Sequence, residues 1–398
     1  MGVQVQSKVF TPGKIAGLEL RNRTIRSGCF EGLCQEGQVT DALIEHHRRV
    51  AEGGIGMTTV AYCSVSFDGR AFGHEMWMRD EILPDLARLT NAVHGEGAAA
   101  SIQLGHCGFF ASSSEIGMRP LGASRKFCLF RLSISREMSE EQIEEKTGDF
   151  VSAAKRAKES GFDAVEIHAG HGYLLSQFLS PWTNHRKDRY GGPLENRVRF
   201  PAAVIKRVRD AVGADFPILV KMNQRDGFNG GLELEEAIQV ARVFEAEGAS
   251  AIIPSCGFTA RTPLYMMRGN VPTMDMVRNQ ANPLLKLGLL LFGRFMVQAY
   301  PFEPMYLLEG ARKFRDALNI PVVYIGGILS LDDMEEAMNE GFEFLEMGRA
   351  TVRDPDFIKR LQAGEIRESD CDHCNRCIAA MDAGGVRCIS EEKGFLRK

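Results

Sequence analysis

His168, His171 and Tyr173 lie close together in the stretch EIHAGHGYLLSQFLSPWTNHRKDRYGG. Two imidazoles at this spacing can donate hydrogen bonds to one carbonyl or oxyanion oxygen, and a phenol beside them can supply a proton. The same residues also fit a plainer arrangement, with one histidine satisfied at a rim, the other solvated, and Tyr173 in the core. A zinc site built on the two histidines is weaker, because the chain has no HExxH and no third ligand stands out. A second group is Cys371, Cys374, Cys377 and Cys388, which crowd the C-terminal region. The other six of the ten cysteines (29, 34, 63, 107, 128 and 256) are scattered, as buried thiols acting as small apolar side chains are. Clustered cysteines in an intracellular chain point to metal or redox chemistry before disulfides. A third motif, Gly95-Glu96-Gly97-Ala98-Ala99-Ala100, mimics a dinucleotide fingerprint. It closes a helix and precedes a strand, the reverse of the required order, and is set aside.

The rest of the chain must position these groups. Its 398 residues are 44% hydrophobic and 25% charged, with a net charge of −4. That is ordinary for a globular protein and gives no basic footprint for nucleic acid or an anionic membrane. There is no signal-type apolar segment or membrane-length apolar run. Gly2 suggests myristoylation, but Gln6 stands where that motif needs Ser or Thr. The expected location is the cytoplasm.

Short apolar runs alternate with amphipathic stretches along the chain. The runs are 23–28, 57–62, 98–103, 163–168, 217–222, 250–254, 321–325 and 342–347. Helical patterns follow at 41–52, 80–94, 139–161, 194–212, 234–247, 304–318, 331–339 and 354–364. Thr40 or Asp41 can cap the first of these helices and Gly53-Gly54 can end it, while Ser139 and Gln142 form a capping-box pattern. Eight strand–helix pairs make a single α/β domain of the (β/α)8, or TIM, barrel type, here with long strand-to-helix loops and a Cys-rich tail. The long loops, 104–138, 169–193 and 255–303, would share the face where barrel active sites are built. The expected division is a barrel over 1–365 and a Cys-rich tail over 366–398 packed on it.

The segment 165–200 closely resembles the Old Yellow Enzyme family. It carries the His-x-x-His-Gly-Tyr loop, Phe-Leu-Ser-Pro, Asn184, Arg186, Asp188, Tyr190-Gly191-Gly192 and Glu195-Asn196-Arg197. The resemblance extends over nearly the whole chain, through Asn22-Arg23, Gly69-Arg70, Gln103-Leu104-Gly105-His106, Ile325-Gly326-Gly327 and Met347-Gly348-Arg349. It implies FMN as cofactor and NAD(P)H as electron donor. Gly326, Gly327 and Gly348 would let backbone N–H groups approach the phosphate, and Arg349 would neutralise it. By the same resemblance Gln103 meets the pyrimidine edge of the flavin. Lys221, where many relatives carry Arg, would stabilise charge on the reduced ring; it could instead be a rim lysine paired with a carboxylate such as Asp226.

For the reaction, the resemblance implies hydride transfer from nicotinamide to flavin N5, and then to the β carbon of an activated alkene, an enone or enoate. His168 and His171 would hold the carbonyl oxygen, and Tyr173 would protonate the α carbon. An unperturbed phenol, with a pKa of about 10, is protonated at neutral pH. Ser27, Gly28, Cys29 and Tyr62 complete the expected cofactor wall, with departures from the family pattern. The first strand reads Arg26-Ser27-Gly28-Cys29-Phe30 without the usual proline, Tyr62 stands where Ala is common, and Phe109 replaces an Arg. The 255–303 loop, rich in Met, Pro and aromatics, is expected to cover the pocket.

The spacing C-x2-C-x2-C-x10-C resembles the iron–sulfur motif of long family members. Cys371, Cys374, Cys377 and Cys388 are thus candidates for a [4Fe-4S] cluster or zinc, or are unligated thiols. Two other functions stay open: an iron–sulfur flavoprotein dehydrogenase or demethylase with a separate electron partner, and a barrel that binds a ligand without turnover. Small-molecule alkene and nicotinamide are the expected partners, with a homo-oligomer left open.

Overall fold

Runs with an inward-facing residue at every second position become eight parallel strands. They are β1 (Thr24–Arg26), β2 (Met57–Ser64), β3 (Ala99–Gly105), β4 (Ala164–Ala169), β5 (Ile218–Asn223), β6 (Ala251–Ser255), β7 (Val323–Ile325) and β8 (Phe344–Met347). The computed structural model describes residues 5–280, 282–381 and 384–390, apart from the side chains of 294–296. The strands pair in the order β6-β5-β4-β3-β2-β1-β8-β7. A parallel bridge between Ile252 and Val322 joins the two ends, so the sheet curls into a nearly closed barrel. The outer helices are α1 (Asp41–Glu52), α2 (Leu83–Gly95), α3 (Glu140–Glu159), α4 (Arg199–Val212), α5 (Leu234–Ala246), α6 (Leu308–Ala317), α7 (Leu331–Asn339) and α8 (Phe357–Gln362).

Local chemistry explains the helix ends. Thr40 accepts from Leu43 N–H at the start of α1, and Ser139 with Gln142 makes a full capping box at α3. The single helix expected over 194–212 is two, Leu194–Arg197 and α4, hinged at Val198. Within 255–303, expected as one long loop, lie two helices, Thr273–Asn279 and Pro283–Met296. An N-terminal hairpin, Gly13–Ile15 with Leu18–Leu20, was also not anticipated.

The barrel interior sets up the site. Ile25, Met57, Ala164, Leu219, Ala251, Val323 and Phe344 form one apolar cluster, which Ile15 and Leu20 of the hairpin plug from the N-terminal end. Strand faces repeat every two residues. Inward-facing Ala164, Leu219 and Phe344 therefore send Glu166, Lys221 and Glu346 to the same interior, one layer nearer the C-terminal mouth. Register places Glu166 beside Gln103 and His168 beside Lys221.

Candidate active site

At the mouth the barrel opens into a cavity of about 400 Å³. Of the residues singled out from sequence, Ser27, Gly28, Cys29, Tyr62, His171, Tyr173, Lys221, Gly326, Gly327, Gly348 and Arg349 line it. Gln103 and His168 lie behind this lining, 1% and 2% exposed. They form its buried floor.

That floor holds a charge cluster. Lys221 Nζ lies 2.8 Å from Glu166 Oε1 and 2.6 Å from Glu346 Oε1, and donates to Ser27 Oγ at 3.3 Å. Gln103 Nε2 donates to the same Glu166 oxygen. Asp226, the partner suggested from sequence, is instead engaged with Asn223 Nδ2 and Leu232 N–H. The reason is geometric: Glu166 and Glu346 share the barrel interior with Lys221, whereas Asp226 lies beyond the end of β5. Burial favours the neutral amine, but the two carboxylates outweigh it and hold the Lys221 pKa above the ordinary lysine value. Burial pushes Glu166 up to about 7, against the pull of Lys221. Sequence reasoning missed both glutamates, although each interrupts an apolar run, DAVEIH or FEFLEM.

Four buried polar atoms of this region have no protein partner: Gln103 Oε1, Glu166 Oε2, Glu346 Oε2 and His168 Nε2. Such atoms are expensive unless a ligand or water meets them. The three oxygens, Gln103 Oε1, Glu166 Oε2 and Glu346 Oε2, fit a planar heterocycle with polar atoms along one edge, as the pyrimidine edge of a flavin has, and leave His168 Nε2 for a second ligand. At the other end of the cavity, Arg349 Nη1 donates to Arg268 O at 2.6 Å and Asn375 Oδ1 at 2.8 Å. Its Nε and Nη2 have no protein hydrogen bond among the described residues, which leaves one guanidinium edge for an anion. The glycines divide here. Gly326 and Gly327, with φ of +120° and +78°, are needed by packing, since a Cβ would meet Leu307 at 2.8 Å and Met305 N at 2.7 Å. At Gly348 the nearest atom to a Cβ is 3.9 Å away, so this backbone faces open space.

The histidines and tyrosine come together at the end of β4. The ring of His168 lies 4.9 Å from His171 and 4.8 Å from Tyr173, and Tyr62 adds its ring 5.6 Å from Tyr173. His168 Nδ1 accepts from Gly170 N–H at 3.3 Å, so the proton of the neutral ring sits on Nε2. His171 Nε2 pairs with Ser255 Oγ at 2.8 Å, while its backbone, at φ +57°, is held by an N–H bond to Asn223 Oδ1. Burial holds both imidazoles neutral, His168 well below the usual histidine range and His171 at about 3, with Lys221 adding to the effect. Burial, reinforced by Tyr62, lifts the Tyr173 phenol well above its ordinary value. These three groups are neutral across the physiological range.

On the β1 side, Arg26 is fully buried and donates to Glu31 Oε1 at 2.5 Å, Thr59 O at 2.8 Å and Cys29 Sγ at 3.3 Å. Burial pushes the Cys29 thiol up despite Arg26. Glu31, His46 and His47 form the only trio of potential metal-ligand atoms within 4.8 Å of one another among the described residues. The Arg26 guanidinium, also 3.1 Å from His46 Nε2, supplies the cation of that cluster.

In the tail, Cys371, Cys374, Cys377 and Cys388 ring a second, small cavity with Arg349, Arg353, Asp370 and Ser390. Cys377 and Arg349 line both cavities. Burial raises the thiols of Cys371, Cys374 and Cys377, the last to about 12. Arg353 reaches Cys388 Sγ at 3.6 Å, and Asn375 ties the segment to Met267 O and Asn270 O of the 255–303 region. That region does line the main cavity, through Met266, Met267, Met276 and Leu289.

The profile of the NADH:flavin oxidoreductase / NADH oxidase family matches residues 8–274. A 4,4'-dithiodibutanoate disulfide reductase of Rhodococcus erythropolis is 38% identical over 98% of this chain and 96% of that protein. A metal reductase of Desulforamulus reducens is 35% identical over 93% of this chain, which spans about half (51%) of that protein. Among solved structures, a 2-naphthoyl-CoA reductase complex superposes with TM-score 0.82 at 27% identity, covering 96% of this chain and 56% of the other. An old yellow enzyme homologue from Zymomonas mobilis shares the fold, with TM-score 0.73 at 20% identity over 92% of this chain and 95% of the other. The chain therefore belongs to the NADH:flavin oxidoreductase / NADH oxidase family, the old yellow enzyme group of FMN-dependent NAD(P)H oxidoreductases.

Proposed function

We propose that this chain moves hydride from NAD(P)H to the β carbon of a conjugated alkene, with Tyr173 protonating the α carbon. Bound FMN supplies the hydride relay between the two substrates. Gln103 and Lys221 would hold its pyrimidine edge, Ser27, Gly28, Cys29 and Tyr62 its flank, and Gly326, Gly327, Gly348 and Arg349 its phosphate. His168 offers the Nε2 proton to the substrate carbonyl, while His171 lines the cavity beside it. Both are neutral, so they polarise the oxygen by hydrogen bonding without surrendering a proton. Tyr173, protonated and buried, is the acid. Phe30, Phe72 and Phe110 wall the cavity around it and limit access of water.

The observation that carries this reading is the unpartnered Nε2 of His168 beside the Tyr173 ring, 4.8 Å between centroids. The test is an anaerobic absorption experiment on purified protein. The yellow protein should bleach with NAD(P)H and recover with 2-cyclohexenone, yielding cyclohexanone. Protein that is colourless and takes up no FMN would leave the non-catalytic barrel as the reading. Failure to recover with any enone would remove the alkene.

Similarity to a disulfide reductase over nearly its full length favours a second acceptor, an organic disulfide, reduced to two thiols by the same two electrons. Recovery by the disulfide alone would select it. For the tail, the cluster reading is preferred to zinc on the C-x2-C-x2-C-x10-C spacing of Cys371, Cys374, Cys377 and Cys388. A cluster beside Cys377 would support the dehydrogenase or demethylase alternative, with electrons leaving to a separate partner. Iron and acid-labile sulfide assays decide between cluster, zinc and free thiols.

A further inference from the structure

The charges around the main cavity balance unevenly. Lys221 is neutralised by Glu166 and Glu346 in the floor, and Arg349 stands at the Gly348 end. Arg131 is different. It closes a short helical turn, Leu129–Arg131, in the long loop after β3, and the following Leu132 takes a left-handed conformation at φ +47°. Its guanidinium is stacked on two cavity-wall rings, 4.8 Å from the Phe72 centroid and 4.5 Å from that of Phe110. Nε donates to Phe110 O at 3.1 Å, which fixes the plane of the group. The two Nη atoms have no protein hydrogen bond, and no carboxylate lies within 4.0 Å, among the described residues. Glu75 feels the charge of Arg131 from farther away, but its own oxygen accepts from Ala71 N–H at 2.7 Å and Phe72 N–H at 3.3 Å. Phe110, which supports Arg131, is also the neighbour of Tyr173, 6.2 Å between rings. A half-buried, oriented and uncompensated guanidinium therefore shares a cavity wall with the proposed acid.

We infer that Arg131 anchors a carboxylate on the acceptor substrate, which makes acidic acceptors the preferred substrate class of this site. This rests on the proposed function, because it assumes that the acceptor lies against His168 and Tyr173. A guanidinium fixed through Nε presents its Nη edge as a fork that matches a carboxylate in two parallel hydrogen bonds. Aromatic faces hold the cation in place while leaving that edge free. The plainer role, a brace that merely holds Phe72 and Phe110, predicts no preference for charge.

The test uses flavin-loaded protein and two phenols, 4-hydroxybenzoate and 3-(4-hydroxyphenyl)propionate, each with its uncharged amide. Binding is read from the change in flavin absorption. At least one carboxylate should bind ~10–100-fold tighter than its amide, as two charge-assisted bonds allow. In Arg131→Gln the preference should fall to near unity with amide affinity unchanged, and Arg131→Lys should keep part of it. KM for NADH and NADPH should stay constant in both variants, with thermal melts matching wild type. A preference that survives in Arg131→Gln overturns the assignment, as does equal weakening of acid and amide, which is the brace. An effect confined to NAD(P)H would overturn it by assigning the anion to the nicotinamide's phosphates. If wild type binds neither phenol, the histidine–tyrosine reading itself fails and the anchor falls with it. If it binds both acid and amide equally, only the anchor fails.

Discussion

The barrel floor and the lid-and-tail region contribute to one cavity but are built on different terms. In the floor, Gln103, Glu166, Lys221 and Glu346 come from four strands, are buried to 1% exposure or less, and hold one another through hydrogen bonds. Over the mouth, the helix Pro283–Met296 leaves Leu284 72% and Leu291 61% exposed. The tail thiols are only partly buried and hang on backbone-directed bonds from Asn375 and the Arg353–Asp370 pair. Strand-borne groups are placed by register and cannot shift singly. Loop-borne groups are placed by a few polar ties. Groups that need fixed geometry toward a flavin ring therefore belong on strands, and groups that admit, cover or relay belong on the loops.

The sharpest way to break this contrast is Lys221→Met. It strands two carboxylates in the floor, and removing one partner of a buried ion cluster costs about 3–5 kcal/mol. Chemical denaturation should show that loss together with poor flavin retention, while Lys221→Arg recovers most of it. Next is Tyr173→Phe. Reoxidation by an enone should slow ~10²–10⁴-fold in stopped flow, the usual worth of a general acid, while reduction by NAD(P)H stays near wild type. Equal slowing in both directions would mean that Tyr173 shapes the pocket and is not the acid.

The third test concerns pH. Burial raises Glu75 to about 7 from 4.5, so the folded chain binds the proton more tightly than the unfolded one. Its contribution to stability is complete below pH 4.5 and is lost as pH rises through 7, an amount of about 3 kcal/mol. Glu75→Gln should remove that part of the decline in unfolding free energy between pH 4.5 and 7, and an unchanged slope would count against a raised carboxyl there. Arg349→Ala should weaken FMN retention by about 1.5–3 kcal/mol, measured by fluorescence of released flavin. Smallest is Cys374→Ser in the tail. Flavin content and melting should barely move, while any bound iron is lost, and a large fall in flavin content would show that the two regions are not separable.

Much of the floor was legible because period-two patterns survive in short strands. The expected run 57–62 is β2, Met57–Ser64, and the helix expected over 41–52 is α1 to the residue. The helix at 283–296 was not legible. Apart from Lys286, LLKLGLLLFG is apolar on every side, so its pattern marks no solvent face, and Asn282 and Pro283 at its start read as loop residues. Glu166 and Glu346 were missed for another reason. Each is the one acidic residue of its strand, and only closure of β4, β5 and β8 around one interior gives it Lys221 as partner. The His168–His171 pair was visible as a motif, but not its division of labour. Nothing in the spacing says that Ser255 engages one ring while the other keeps a free Nε2.

The three unpartnered oxygens of the floor also bear on how the protein matures. Gln103 Oε1, Glu166 Oε2 and Glu346 Oε2 each represent about 1–3 kcal/mol of desolvation that the polypeptide does not offset by itself. A ligand that meets them binds the native state and not the unfolded one, and so stabilises it by mass action, about 2.7 kcal/mol at a hundredfold excess over Kd. Flavin supply then sets how much of this chain survives quality control in a cell, and its abundance should follow riboflavin availability before its catalytic rate does.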